Sequence, residues 1–299
     1  MNPSSFGEER ECVLTLGELN QEPLLRFSYR HACKGGGEAV EGVLPVLTLS
    51  TAGLPAALDG IVLAADLQGR ELLPPTRRNA ASPARNFREG RRLLGEVAAE
   101  RIAELSGDGR LPPPERLGVI LAGDLWAEPG SIRRGRSGDV RPVWLAFRSC
   151  GRWVAGVRGN HDVFPEQPTD PDDGFHMLDG TAITLGGLRV GGIGGVIGNP
   201  SNPRTRTEER FTRLVHDLTA SALDLLVLHH GPEGDGGLAH GSRAVREAVN
   251  GFEGVVVFGH CFWRDPIQHP SSGPWLVNVD SRVVVLLREA WQSPNRGGA

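Results

Sequence analysis

The chain has 299 residues, 39% of them hydrophobic and 23% charged, a globular composition with enough length to bury a sizeable core. Its net charge of −4, with Lys34 as the only lysine, argues against broad electrostatic capture of nucleic acid. No run of about 18 apolar residues predicts a membrane helix. The opening MNPSSFGEEREC is too polar and acidic for a signal peptide, and Cys12, Cys33, Cys150 and Cys261 form no CxxC pair. A cytoplasmic protein with reduced thiols is expected.

Residues 1–10 read as frayed. Between 11 and 55, LLRFSYRH and VLPVLTLS read as strands on either side of the glycine-rich turn KGGGE. GIVLAADLQGRE (60–71) is an apolar run that breaks at Asp66. NFREGRRLLGEVAAERIAELSG (86–107) has helical spacing through Leu93, Leu94, Val97, Ile102 and Leu105 and stops at Gly107. The pattern repeats from there. RLGVILAGDLWAEPG breaks at Asp124, and PVWLAFRSCGRWVAGVRGNHD holds a helix and then a run that breaks at Asn160. TAITLGGLRVGGIGGVIG reads as two strands joined by a Gly-Gly turn. TEERFTRLVHDLTAS (207–221) reads as a helix, with Thr205 and Glu208 spaced as a capping box. LDLLVLHHGPEG breaks at His229, SRAVREAVNGF is helical, and GVVVFGHCFWRDP breaks at His260. PWLVNVDSRVVVLLRE reads as two further strands.

Strands thus alternate with helices, and nearly continuous apolar strands imply sheets covered on both faces. The expected organisation is an N-terminal β extension (1–55) packed on a main α/β domain (56–290), followed by a loose tail (291–299). Five apolar runs end in a residue with an oxygen or nitrogen lone pair: Asp66, Asp124, Asn160, His229 and His260. Any one of them alone reads as a turn or a cap. Five together point to a site, because ligands in open α/β sheets collect beyond the carboxyl ends of the strands. Carboxylate, amide and imidazole donors suit Mn, Fe or Zn.

At these residues the sequence resembles the calcineurin-like metallophosphoesterases, whose motifs run D-x-H, GD, GNH[DE], an HHP-like turn and GHxH. The matches here are ADLQG (65–69), GD (123–124), GNHD (159–162), HHGP (229–232) and GHCF (259–262), in order over about 200 residues. The resemblance implies a four-layer fold, two sheets forming a sandwich flanked by helices, with two divalent metals held close together at the strand ends. It implies Asp124 as the shared carboxylate, Asn160, His229 and His260 as its partners at one metal, and His229 rather than His230 as the ligand. It implies His161 beside the leaving-group oxygen and Asp162 orienting that imidazole. Two departures fall on the other metal, where Gln68 and Phe262 stand in place of histidines. One well-formed site (Mn, Fe or Zn) is therefore expected, with a weaker second one built on Asp66, Asp124 and the Gln68 amide oxygen, suited to Mn or Mg.

Asn199 and Arg204, in a Gly/Pro/Arg-rich loop, and Trp263, after His260, are candidate substrate contacts through phosphate hydrogen bonds and ring stacking. The structural alternatives are a solvated loop and a core tryptophan. Two functions fit: metal-dependent hydrolysis of a phosphoester (a monoester, a diester or a nucleotide), or a catalytically degenerate module that keeps the fold for binding. The expected partner is a small-molecule phosphoester, with nucleic acid disfavoured, no membrane and the oligomeric state open.

Overall fold

The computed structural model describes residues 14–73, 88–165, 174–236, 240–289 and 291. Among the described residues the chain is an α/β protein with two large mixed sheets and two two-stranded ones. The larger sheet centres on three parallel strands, Gly60–Ala65, Leu117–Leu121 and Trp153–Gly156, and continues through Arg282–Arg288, Ala39–Ala52 and Leu25–Ala32. The smaller centres on Leu188–Ile193, Leu225–His230, Val255–Gly259 and Trp275–Asn278, all parallel. Side chains alternate across a strand, so each apolar run feeds two cores. Val62, Ala64, Val119 and Leu121 pack with Ala98, Ile102, Trp144 and Phe147 of the helices Leu94–Gly107 and Arg141–Arg148. Ile61, Leu63 and Ile120 meet Val190, Leu225, Val227, Val255 and Val257 of the other sheet. The remaining faces of those strands, Leu226, Leu228, Val256 and Phe258, pack with Phe211, Val215 and Val245 of the helices Glu208–Thr219 and Arg243–Ala248. Burial on both faces is why these runs carry no polar alternation.

Several local expectations change. The described part of 1–55 continues the large sheet: Ala39–Ala52 is hydrogen-bonded between Arg282–Arg288 and Leu25–Ala32, and Thr15–Leu19 pairs with it. The 86–107 segment is a strand (Arg88–Leu93) before it is a helix, and the helix begins where the Glu96 carboxylate accepts from the Leu93 N–H at 2.7 Å. The helix in 207–221 is capped by Thr207, whose hydroxyl accepts from the Arg210 N–H, while Thr205 belongs to a two-residue strand. The Gly-Gly hairpin is as expected, with Gly186 and Gly187 both at positive φ. Residues 1–13 and 292–299 lie outside the described residues, so the frayed start and most of the tail are not addressed. Among the described residues no helix is long and apolar enough to cross a membrane.

The two C-terminal strands do not pair with each other. Trp275–Asn278 belongs to the smaller sheet and Arg282–Arg288 to the larger one, so Val279–Ser281 carries the chain from sheet to sheet. The parallel strands also approach closely where glycine permits. A Cβ added at Gly156 would run into the Leu121 carbonyl of the neighbouring strand. Gly156→Ala is expected to destabilise the fold by about 1–3 kcal/mol through this overpacking, read as a lower midpoint in urea unfolding.

Candidate metal centre

Ends of parallel strands from both sheets, at Asp66, Asp124, His161, His260 and Asp280, line one cleft of about 1420 Å³. At three of these ends the chain turns through the left-handed region on a residue other than glycine: Asp66 (φ 53°), Asp124 (φ 56°) and His260 (φ 66°). Such conformations cost of order 1–3 kcal/mol each and cluster at functional sites. Here they turn the side chain that follows an apolar strand out of the core and into the cleft, whose lining includes all three.

Asp124, His229 and His260 have ligand atoms within 4.8 Å of one another. His229 is fully buried, and its Nδ1 lies 2.8 Å from the Ala122 carbonyl. A carbonyl only accepts, so Nδ1 carries a proton and the neutral ring presents its lone pair at Nε2. That Nε2 faces Asn160 Oδ1 at 3.2 Å and Asp124 Oδ2 at 3.5 Å, both acceptors. Either a proton on Nε2 or a bound cation satisfies this convergence, and Gln68 also donates to Asp124 Oδ2. The His229–carbonyl bond is the kind of outer contact that fixes a metal-binding tautomer. His230 turns away: its Nδ1 accepts from the Ile197 N–H at 3.1 Å and its ring meets Phe211, so the first histidine of HHGP is the one that faces the site.

Without a metal, the electrostatics put a second proton on the His229 imidazole. Burial opposes charge on His229, but the Asp124 and Asp66 carboxylates outweigh it and push its pKa up to about 10. Burial raises Asp124, yet His229 and His161 more than offset that and hold it below its usual value. His260, by burial and then by the His229 charge, falls to about 4, so its imidazole is neutral near pH 7. Asp66 is raised well above the usual carboxylate range by burial and then by the charge of Asp280.

Other expected residues divide. Asn160 bridges two imidazoles, with Oδ1 toward His229 and Nδ2 donating to His161 Nε2 at 2.8 Å. His161 stands on the cleft wall, and its backbone N–H donates to Asp124 Oδ1 at 2.9 Å. Asp66 accepts from the His260 N–H at 2.8 Å and lies outside the compact group. Gln68 turns its amide nitrogen, not its oxygen, toward Asp124 Oδ2 at 2.9 Å, which corrects its expected role as an oxygen ligand. Asp162 does not orient His161. It is fully buried, and its carboxylate accepts from the backbone N–H groups of Asp124, Leu125 and Gly159, each at 2.8 Å. Asn199 is exposed and caps its own turn by accepting from the Ser201 N–H. Arg204 donates to the Asn160 carbonyl at 3.0 Å, so it braces the loop rather than lining the cleft. Trp263 is fully buried, packs edge-on against Phe258 and donates to the His240 carbonyl at 2.6 Å, leaving no face for a substrate.

Asp280 was not among the expected residues. It is 8% exposed, lines the cleft and follows the strand Trp275–Asn278. The sequence signal was present, since WLVNVD is another apolar run that ends in a carboxylate. Also outside the expectation is a cationic wall of Lys34, Arg133, Arg134, Arg136 and Arg264 around the cleft.

No family model matches this chain, and no curated protein matches it. Among solved structures, one of a protein of unknown function from Aquifex aeolicus is 15% identical, covering 58% of this chain and 82% of its own, with a TM-score of 0.27. A likeness that slight carries no argument here.

Two outcomes follow from the geometry. Asp162→Asn puts an amide N–H₂ where backbone donors need an acceptor, and a loss of about 2 kcal/mol or more is expected in urea unfolding, with the far-UV spectrum retained. The folded His229 pKa of about 10 lies above its unfolded value of 6.5, so its contribution to the metal-free protein is full below about pH 6.5 and is lost as pH rises through 10. In chelator, unfolding free energy is expected to decline across that window, and His229→Gln is expected to flatten the decline.

Proposed function

We propose that the protein is a divergent calcineurin-like metallophosphoesterase that hydrolyses a phosphomonoester or phosphodiester, with nucleotides among the candidate substrates. The observation that carries this reading is the compact group of Asp124, His229 and His260, whose ligand atoms lie within 4.8 Å of one another, with Asn160 Oδ1 3.2 Å from His229 Nε2. The helix–sheet–sheet–helix order of the three cores supports the four-layer reading of the fold. So does the place of the site, beyond the carboxyl ends of parallel strands.

The donor set fits a divalent ion of the Mn, Fe or Zn type: one carboxylate, one amide oxygen and two imidazoles. Such an ion, when bound, polarises a phosphoryl oxygen and lowers the pKa of water. The chain's own groups do the rest. Ala122 holds the His229 tautomer, and Asp162 and Arg204 hold the loops that carry Asp124 and Asn160. His161, whose Nε2 accepts from Asn160 Nδ2, carries its proton on Nδ1 and supplies it from there to the departing oxygen. The cationic wall draws an anionic ester toward the cleft.

The test is metal content by mass spectrometry together with turnover of an aryl phosphate and an aryl diester under added Mn. Bound metal with metal-dependent turnover is expected. No metal and no turnover would overturn the proposal in favour of a degenerate binding module. His161→Ala is expected to keep its metal and lose about 10²–10⁴ in kcat on an alkyl phosphate, and less on an ester with an acidic phenol leaving group. Equal losses on both esters would remove His161 from the leaving-group role.

A further inference from the structure

We propose that Phe262 is the specificity-determining residue of this cleft, a preset stacking surface for a planar ring on the group esterified to the phosphate. The inference deepens the phosphoester reading above and rests on it.

Among the described residues few large apolar side chains are exposed. Phe262 is one of them, 56% exposed, and it lines the cleft two residues after His260. Two residues span at most about 7 Å of backbone. The ring therefore flanks the Asp124–His229–His260 group and meets what is joined to the ester oxygen rather than a distant tail. The tyrosine and tryptophan rings of the lining are covered. Tyr29 is 9% exposed and tilts against His31, and Trp126 occupies the space that a Cβ on Gly138 would need. Trp263 is fully buried, so the ring that this strand end offers to a substrate is its neighbour.

Phe262 is also held in place. The fully buried Asn278 accepts from the Trp263 N–H at 3.2 Å and donates to the Cys261 carbonyl at 2.8 Å, so one amide clamps the backbone on both sides of Phe262. The Arg282 guanidinium lies 4.6 Å from the centroid of the Phe262 ring. It is fixed there by donating to the Trp263 carbonyl at 2.6 Å and to the Asp280 carbonyl at 3.3 Å. Arg282 is only 4% exposed, so the ring face it covers is turned inward and the exposure belongs to the rest of the ring. A ring braced in this way orders a planar partner at little further cost in freedom. Aromatic pairs gain affinity beyond their buried area, which favours a planar ring over a saturated one of the same size. The substrate class is a phosphoester with an aromatic or nucleobase ring close to the ester oxygen.

The experiment measures, by isothermal titration calorimetry on the full chain with Mn(II) present, the affinities of benzylphosphonate and cyclohexylmethylphosphonate, whose P–C bonds do not hydrolyse. Wild type is expected to prefer the benzyl compound by about threefold to tenfold. Phe262→Leu is expected to erase that preference while leaving the cyclohexylmethyl affinity near wild type. Phe262→Ala is expected to erase it as well, and Phe262→Tyr to keep it. Equal affinities in wild type, binding of neither compound, or a preference that survives Phe262→Leu would overturn the proposal. A preference that depends on Phe262 in a chain that does not hydrolyse benzyl phosphate would leave this role standing and overturn the hydrolase reading alone.

Discussion

The carboxylate of Asp162 reaches no solvent, and its two oxygens accept three backbone N–H groups from two different loops. The Asp124 and Leu125 amides follow one strand of the larger sheet, and the Gly159 amide follows the next. Neither loop is regular enough to satisfy these donors itself, and a buried amide without an acceptor costs about 1–3 kcal/mol. One side chain therefore closes both strand ends and fixes the spacing of Asp124 against Asn160 and His161. The approach is close enough that a Cβ at Gly159 would run into the Asp124 carboxylate. Within GNHD the last residue thus holds the first, Gly159, and ties it to the Asp124 turn.

The same closeness creates an electrostatic conflict. Asp66, Asp124, Asp162 and Asp280 are carboxylates gathered at the strand ends, and burial with mutual repulsion raises all of them except Asp124. Asp124 is the exception because His229 faces it. In the metal-free chain a proton on that imidazole is the cheapest positive charge that fits the space. A divalent ion offers more charge at the same point and needs the imidazole neutral, so proton and metal compete for one position. The raised pKa of His229 and the assignment of a metal site are two descriptions of the same field.

Much of this was legible in the sequence, for a definite reason. Strands buried on both faces read as uninterrupted apolar runs, so the residue that ends each run stands out, as Asp66, Asp124, Asn160, His229 and His260 do. What was not legible depended on direction rather than position. A polar residue next to a motif points toward or away from the cleft according to contacts that no spacing encodes. Asp162 points to backbone donors, Trp263 to the core, and Arg204 to a carbonyl. Asp280 was obscured because WLVNVD runs directly into a second strand-like segment, SRVVVLLRE. A hairpin would place that aspartate in an ordinary turn, whereas the chain crosses between sheets there and leaves it on the floor of the cleft.

The distribution of charge over the cleft then orders events. Its floor is acidic, and its wall carries Lys34, Arg133, Arg134, Arg136 and Arg264. Fields from exposed side chains act over about a Debye length, roughly 8–10 Å at ordinary salt, so an approaching anion feels the wall first. At the floor, buried carboxylates are screened far less and repel a phosphate at contact. Wall and floor oppose each other for an anion unless the floor has been neutralised by cations. A cation at the floor would reduce that opposition, so cation and anion binding are expected to reinforce one another in this cleft.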